Sequence, residues 1–367
     1  MRFASGQRRG YGVAHLARGQ TLAQVGRMTP ELISFETELL NDVPSLMAVR
    51  SGFRFGLFRK MLAGPLTDDD LMRDAGLSET GAAMLLQIFG SSGIAMRGDD
   101  GWTLSDDMHA LLIAAAEDLR VKADFTAMAV SDTLNHSELL LRDAAGFLQT
   151  AQTFKFFRYD RAMGTGAAHL QDTAPWVDYV SALTRREGPE LARHIDLTKV
   201  RNVVEIGGNT GVFAQELVTQ NPNLEVCVVD LPAVCRLGEK RVQTQNMASR
   251  IRFVAGDARE ITWPKADVVL FKSVLHDWSQ EGAAMMLGKA AKHVPLGGRI
   301  IVCERGPIAD EETHRGALAA TNLVFGQYYR DPQFYRDCMA DCGLKILPSI
   351  QVRLDMVFHL TIGERIV

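Results

Sequence analysis

Long hydrophobic runs are missing from this chain. No uninterrupted apolar stretch approaches the ~18 residues that cross a bilayer, so a membrane-spanning helix is excluded and no membrane association is expected. Cysteine is scarce. The five present (Cys227, Cys235, Cys303, Cys338 and Cys342) are odd in number and fall mostly in apolar or helical segments, which excludes a disulfide framework and fits a reducing, cytoplasmic setting. Cys338 and Cys342 stand four apart on a predicted helix, but no further Cys and no CxxC pair joins them; a metal site needs three or four ligands, so none is expected. Neither charge sign dominates, and a formal net charge of -4 gives no general pull toward nucleic acid or anionic lipid. Acidic residues are absent from Met1 to Pro30, where Arg2, Arg8, Arg9, Arg18 and Arg27 stand. A targeting presequence looks somewhat like that, yet there is no apolar h-region, and Gly6, Gly10, Gly12 and Gly19 oppose a persistent amphipathic helix. Residues 1–30 therefore read as a flexible tail. Internal repeats and low-complexity tracts are also lacking.

What is present suits two domains. With 367 residues, the chain exceeds a comfortable single core, and 47% hydrophobic with 23% charged residues is ordinary for a water-soluble protein. Helical patterning dominates from Thr29 to about Leu197, whereas strands alternate with helices from Asn202 onward, so the boundary falls between Asp196 and Arg201. The units are then 31–196 and 197–367. In the first, Thr67 and Asp70 make a helix-start box, Ser78 caps a second helix, and Ile94–Met96 pairs with Trp102–Leu104 as a hairpin. Helix, turn, helix, hairpin is the layout of a winged helix. DNA binding is the obvious use for it, but the segment from Ser78 to Gly90 has no Lys or Arg to meet phosphates and base edges. A packing or dimerisation module is the better reading, with no nucleic-acid partner.

In the second unit, strands are predicted at Val203–Ile206, Glu225–Asp230, Ile251–Val254, Asp267–Lys272 and Arg299–Cys303, with Leu344–Ile350 and Val357–Ile362 as an antiparallel finish. Such continuous Val, Ile and Leu runs imply strands covered on both faces, hence a parallel sheet between helices. The fold class is α/β, a Rossmann-like sheet preceded by a mainly helical winged-helix domain.

The sharpest chemical signal is Val203-Val204-Glu205-Ile206-Gly207-Gly208-Asn209-Thr210-Gly211, a strand running into a glycine-rich turn. Its glycines allow positive φ and close approach of a ligand, and Asn209 tolerates the left-handed region. The spacing is not GxGxxG. Glu205 also sets a carboxylate at the entrance, where a pyrophosphate is repelled and a cationic ligand is welcome. S-adenosylmethionine has that character, with an ammonium, a sulfonium and no phosphate. Asp230 and Asp257 end the next two strands. Three successive strand ends with an acid form a constellation, because open α/β sheets bind ligands at the carboxyl ends of their strands.

The following strand ends in Leu270-Phe271-Lys272-Ser273-Val274-Leu275-His276-Asp277-Trp278. From EIGGNTG, VVDLP, AGDA and FKSVLHDW in that order, the chain resembles the plant-type and bacterial small-molecule O-methyltransferases, over most of its length from roughly Pro44. That family joins a winged-helix dimerisation domain to a Rossmann-like methyltransferase domain. The resemblance implies that Glu205, Gly207, Gly208 and Gly211 form the cofactor loop, that Asp230 and Leu231 hold the ribose and adenine of S-adenosylmethionine, and that Asp257 and Ala258 flank the adenine. It implies further that Lys272 touches the cofactor, that His276 is the catalytic base, and that Glu304, with Asp277 less well placed, orients it. A homodimer through the N-terminal domain is implied too, and the apolar helices before Thr67 (Leu32, Ile33, Phe35, Leu39, Leu40, Met47, Phe53, Phe55, Leu57, Phe58) are expected to need a partner surface.

There are departures. Asn209 stands where the family commonly has Gly, Tyr179 and Leu183 where it has a Phe and Met pair, and Tyr329 where it has a second Glu. Trp176, Tyr179, Leu183, Asn322, Phe325, Tyr328 and Tyr329 are the candidate lining of a roomy, aromatic acceptor pocket. The expected activity is methylation of a hydroxyl on a small aromatic or polyketide-like metabolite. Transfer to C, N or S, a cofactor-binding relative with other chemistry, and a ligand-sensing regulator stand as alternatives.

Overall fold

The computed structural model describes residues 28–308 and 315–366. The expected tail lies almost wholly outside these. The described chain opens with the Pro30–Asn41 helix, which Thr29 caps. Thr67 and Asp70 form the reciprocal capping box, Thr67 Oγ1 accepting from Asp70 N at 3.1 Å and Asp70 Oδ2 from Thr67 N at 2.9 Å. Ser78 caps the Glu79–Ser91 helix. β1 (Ala95–Gly98) and β2 (Gly101–Leu104) pair antiparallel, and Leu66 bridges to Trp102 beside them. The helix, helix, hairpin order is thus present. Of the apolar residues expected to seek a partner, Leu32, Leu39, Leu40, Leu57 and Phe58 are instead buried in the chain's own core with Phe89, Leu111 and Leu119. Those positions cannot carry the argument for assembly. The large apolar side chains left exposed there are Val43, Met47, Phe55 and Leu62.

Five strands are parallel: β3 (Asn202–Ile206), β4 (Glu225–Asp230), β5 (Ile251–Ala255), β6 (Val268–Lys272) and β7 (Arg299–Arg305). The finish is antiparallel: β8 (Leu344–Ile346), β9 (Ile350–Arg353) and β10 (Val357–Arg365). The single run expected over Leu344–Ile350 is two strands, because Pro348 has no N–H for a ladder and the chain jogs there to pair with two separate stretches of β10. Spatial order is β5-β4-β3-β6-β7-β10-β8. Alternate residues feed opposite cores. Val203, Val226, Val228, Leu270 and Ile301 face the helices Ala167–Arg193 and Val212–Gln220, while Val204, Cys227, Val229, Phe271 and Val302 face Gln280–His293 and Pro332–Asp341. Each such side chain withdrawn from water contributes roughly 1.5–3 kcal/mol, which is why both faces are covered.

The connectivity sets the site. The chain runs outward from β3 through β4 to β5, then returns to place β6 on the other side of β3, so the winding reverses between β3 and β6. A crevice opens beyond the carboxyl ends of strands at such a reversal. The Ala167–Arg193 helix, last before β3, packs on both the Asp106–Asn135 helix and the helices Val212–Gln220 and Pro232–Thr244, roofing that crevice.

Candidate active site

The loop after β3 lies in the reversal. Gly207 has φ +67° and Asn209 φ +53°, left-handed conformations that glycine and asparagine tolerate. A Cβ on Gly207 would come within 2.5 Å of Val274, so glycine also permits the close approach of the loop after β6. A cavity of about 350 Å³ follows, lined by Gly207, Asn209, Asp230, Leu231, Asp257, Ala258, Trp176 and Trp278 among others. Asp230 accepts from the backbone N–H of Asn209 at 2.8 Å and of Leu231 at 2.7 Å. Burial nevertheless pushes its carboxyl up to about 6. Glu205 is buried beneath the loop, against Gly208, and its Oε2 has no hydrogen-bond partner among the described residues. Burial, opposed by Lys272 and aided by Asp230, pushes it up to about 8. A buried carboxyl with an idle oxygen is a costly feature that a bound cation relieves. The fit to S-adenosylmethionine is therefore good.

The turn after β6 carries the imidazole. His276 Nδ1 donates to Glu304 Oε2 at 2.6 Å, while Glu304 Oε1 accepts the N–H groups of Val274 (2.9 Å) and Leu275 (2.7 Å). One carboxylate from the end of β7 thus fixes both the turn and the ring. With the proton on Nδ1, Nε2 keeps its lone pair. Burial disfavours the imidazolium, but the charges of Glu304 and Asp277 and the hydrogen bond to Glu304 outweigh it and hold the pKa of His276 above its ordinary value. Asp277 comes nearer than its place in sequence suggests, with Oδ1 3.5 Å from His276 Nε2. Its Oδ2 accepts from the Tyr159 hydroxyl at 2.9 Å. Arg330 clamps the same turn, donating to the carbonyls of Leu275 (2.7 Å) and Trp278. Tyr329, at the position of the expected second acid, sets its ring nearly perpendicular to the imidazole with centroids 5.6 Å apart.

Beyond His276 lies another cavity, of about 320 Å³, with Phe154, Phe157, Tyr179, Leu183, Phe325, Tyr328 and Tyr329 in its walls. Tyr159, Val180, Ser273 and Asp277 line both cavities. The two meet at the His276 turn. One wall is a buried charge network: Glu187 holds Lys272 and Arg305, and Arg305 Nη2 reaches Asp355 Oδ2 at 3.0 Å. Burial opposes the charge on Glu187, but Arg305 and Lys272 hold its carboxyl down at about 2.

The family profile of the O-methyltransferase domain matches residues 144–343. The chain belongs to this O-methyltransferase family. It is similar to the 3-hydroxy-5-methyl-1-naphthoate 3-O-methyltransferase of Streptomyces sahachiroi, 32% identical over 177 residues that cover 47% of this chain and 50% of that protein. It is also similar to the acetylserotonin O-methyltransferase of Rattus norvegicus, 24% identical over 356 residues, 87% of this chain and 76% of that protein. The chain spans about half the length of the first of these curated relatives. In fold it is like the solved O-methyltransferase from neocarzinostatin biosynthesis in complex with S-adenosyl-L-homocysteine and 1,4-dihydroxy-2-naphthoic acid, with a TM-score of 0.66 at 18% identity, covering 89% of this chain and 97% of that one.

Within this O-methyltransferase-family chain, the expected residues separate into groups. Gly207, Asp230, Leu231, Asp257 and Ala258 share the first cavity, and Trp176, expected in the acceptor pocket, joins them. Asp257 also pairs with Arg259. Glu205, Gly208 and Gly211 lie behind the loop rather than on the cavity wall; Gly211 has φ +76° at the start of the Val212–Gln220 helix. Lys272 lines the second cavity with Tyr179, Leu183, Asn322, Phe325 and Tyr329, and its ammonium is taken by Glu187 and by Thr184 Oγ1 at 3.2 Å. Sequence reasoning missed Tyr159, Glu187, Arg305 and Arg330. A signal for Glu187 existed: Ser181, Thr184 and Glu187 recur every third residue on a helix face that is otherwise apolar, and all three are buried. Among the described residues no three His, Cys, Asp or Glu side chains come together as a metal-binding group.

Proposed function

We propose that the protein is an S-adenosylmethionine-dependent O-methyltransferase acting on a hydroxyl of a small aromatic metabolite, with His276 as general base. The observation that carries this reading is the meeting of two cavities at the His276 turn, one walled by the strand-end acids and the other by aromatic rings. S-adenosylmethionine, when bound, supplies an electrophilic methyl group on a sulfonium. Gly207, Asp230, Leu231, Asp257 and Ala258 are the residues to hold it, with Glu205 answering its positive charge from beneath the loop. His276 Nε2 takes the proton of the acceptor hydroxyl, which matters because a phenol of pKa ~10 is mostly protonated at neutral pH. Glu304 holds the ring in the right tautomer and stabilises the imidazolium that forms. Tyr159 and Asp277, shared by both cavities, orient the acceptor and exclude water at the junction. Much of the remaining acceleration comes from holding the two reactants in line.

The deciding experiment is transfer of label from S-adenosylmethionine to an isolated metabolite of the source cell, with the product identified by mass. Binding of NADH but of neither adenosyl compound in the presence of chelator would sink the reading. Calorimetry adds a sharper check on Glu205. A carboxyl with pKa about 8 is mostly protonated at pH 7, and a nearby positive charge lowers that pKa. Binding of S-adenosylmethionine is expected to release ~0.5–1 proton per site at pH 7, read from the dependence of binding enthalpy on buffer ionisation. Glu205→Gln removes that release; its persistence in the variant assigns the proton elsewhere.

A homodimer through the helical half belongs to the same proposal, supported by the exposed Val43, Met47, Phe55 and Leu62. Light scattering at micromolar concentration is expected to give twice the chain mass, and a strictly monomeric mass discards it.

A further inference from the structure

We infer that Lys289 is a positioning residue for the cofactor: its ammonium gathers the loop after β5 and so holds the Asp257–Ala258 wall in the shape that receives the adenosyl group. The inference rests on the methyl-transfer reading and deepens it, since Lys289 itself lines neither the strand-end cavity nor the one beside His276. Residues 256–267 are in neither helix nor strand. Their backbone N–H and C=O groups must therefore find partners outside any regular ladder.

Several of those carbonyls converge on one side chain. Lys289 Nζ donates to the carbonyls of Ala258 at 2.8 Å, Ile261 at 2.7 Å and Arg259 at 3.2 Å. An ammonium has three donors, and this loop takes all of them. The same charge lies over the ring of Trp263, 4.6 Å from its centroid, and that buried indole donates in turn to the Ala258 carbonyl at 3.0 Å. Lys289 stands on a firm base. Ala283, Met286, Leu287 and Ala290 of its own Gln280–His293 helix are buried in the core beneath the sheet. Within the loop, the N–H groups of Glu260 (2.9 Å) and Ile261 (3.0 Å) donate to the Asp257 carbonyl. The residues that Lys289 grips therefore belong to the same turn as Asp257 and Ala258, which line the strand-end cavity. Without the ammonium the turn loses those bonds and has to be ordered as the ligand arrives, which subtracts from affinity.

The test uses the full chain and begins with calorimetry of S-adenosylhomocysteine on the parent. Absence of binding there overturns the methyl-transfer reading and this inference together, whereas every later failure falls on Lys289 alone. Lys289→Met keeps much of the stem and loses the donors. It is expected to bind S-adenosylhomocysteine roughly tenfold to hundredfold more weakly than the parent. Hydrogen exchange read by mass spectrometry should quicken over residues 256–261 in that variant and keep the parent's rate over residues 207–211, the loop after β3. His293→Leu is the control for packing. His293 lies one turn further along the same helix, meets Trp263 with ring centroids 5.5 Å apart and donates to the Pro264 carbonyl at 2.7 Å, beyond the gripped turn. This change should lower Tm and leave the affinity unchanged. The same two readings on Lys289→Gln keep the test decisive should the methionine variant fold poorly. Affinity in the Lys289 variants within about threefold of the parent's, an equal loss in His293→Leu, or exchange that quickens alike in both loops overturns the inference.

Discussion

His276→Gln is expected to lower kcat by ~10²–10⁴-fold while the affinity for S-adenosylmethionine stays nearly unchanged, because general base catalysis supplies an acceleration of that order and the imidazole is absent from the wall of the strand-end cavity. The base works only when neutral. Activity should therefore rise with pH through the pKa of His276, which Glu304 and Asp277 hold above the ordinary 6.5. Glu304→Gln keeps an oxygen for the N–H groups of Val274 and Leu275, but it turns an amide NH2 toward His276 Nδ1, which must then accept and leave the proton on Nε2, and it loses the charge that favours the imidazolium. In that variant the acidic limb of kcat/KM against pH should move to lower pH, with a loss of kcat that approaches that of His276→Gln because the neutral ring now presents N–H, not a lone pair, at Nε2. A role confined to packing moves stability and leaves the pH profile in place. Turnover by His276→Gln within a few-fold of the parent would show that proximity, not proton transfer, does most of the work.

How far this geometry could be read in advance depended on whether a residue's meaning is local. Thr67 with Asp70 and Ser78 are legible because a helix cap needs its partner within three residues. The five parallel strands are legible because both faces are covered, so each segment is apolar nearly throughout. The pairing of His276 with Glu304 could be anticipated from their places past neighbouring strand ends, since a parallel sheet aligns its carboxyl ends. Tyr159 could not. It reaches Asp277 from a loop 118 positions away, and nothing near it in sequence marks that contact. The resemblance makes Lys272 a cofactor contact, yet it lines the cavity beside His276, and Trp176, taken as an aromatic of the acceptor pocket, lines the strand-end cavity, because neighbours across the fold decide which cavity a side chain faces. The helices before Thr67 misled for a related reason: their apolar positions look unpartnered in sequence, yet the Asp106–Asn135 helix covers them.

The buried network behind Lys272 carries the second large effect. Glu187 is shared by Lys272 and Arg305, all three at most 7% exposed in their side chains. Its carboxyl is held at about 2 against an ordinary 4.5, so ionised Glu187 is worth about 3 kcal/mol to the folded state. Because the folded value is the lower one, that stability is fully present above about pH 4.5 and disappears as pH falls through about 2. Glu187→Gln removes it. Lys272 then keeps only Thr184 Oγ1 as a hydrogen-bond partner among the described residues, while Arg305 retains Asp355, and two cations face each other across a neutral amide. Breaking a buried pair in this way costs about 3–5 kcal/mol, a fall in Tm of roughly 4–7 °C for a chain of 367 residues. The signature lies in the pH dependence. Parent and variant should differ most at neutral pH and converge on acidification from pH 5 toward pH 2, which a loss of packing alone would not produce. Parallel curves across that range would mean that Asp355 serves both cations in the variant and that Glu187 fills space. Since Glu187 also lines the cavity beside His276, the variant should show weaker acceptor binding with S-adenosylhomocysteine affinity intact, separating the wall of one cavity from the wall of the other.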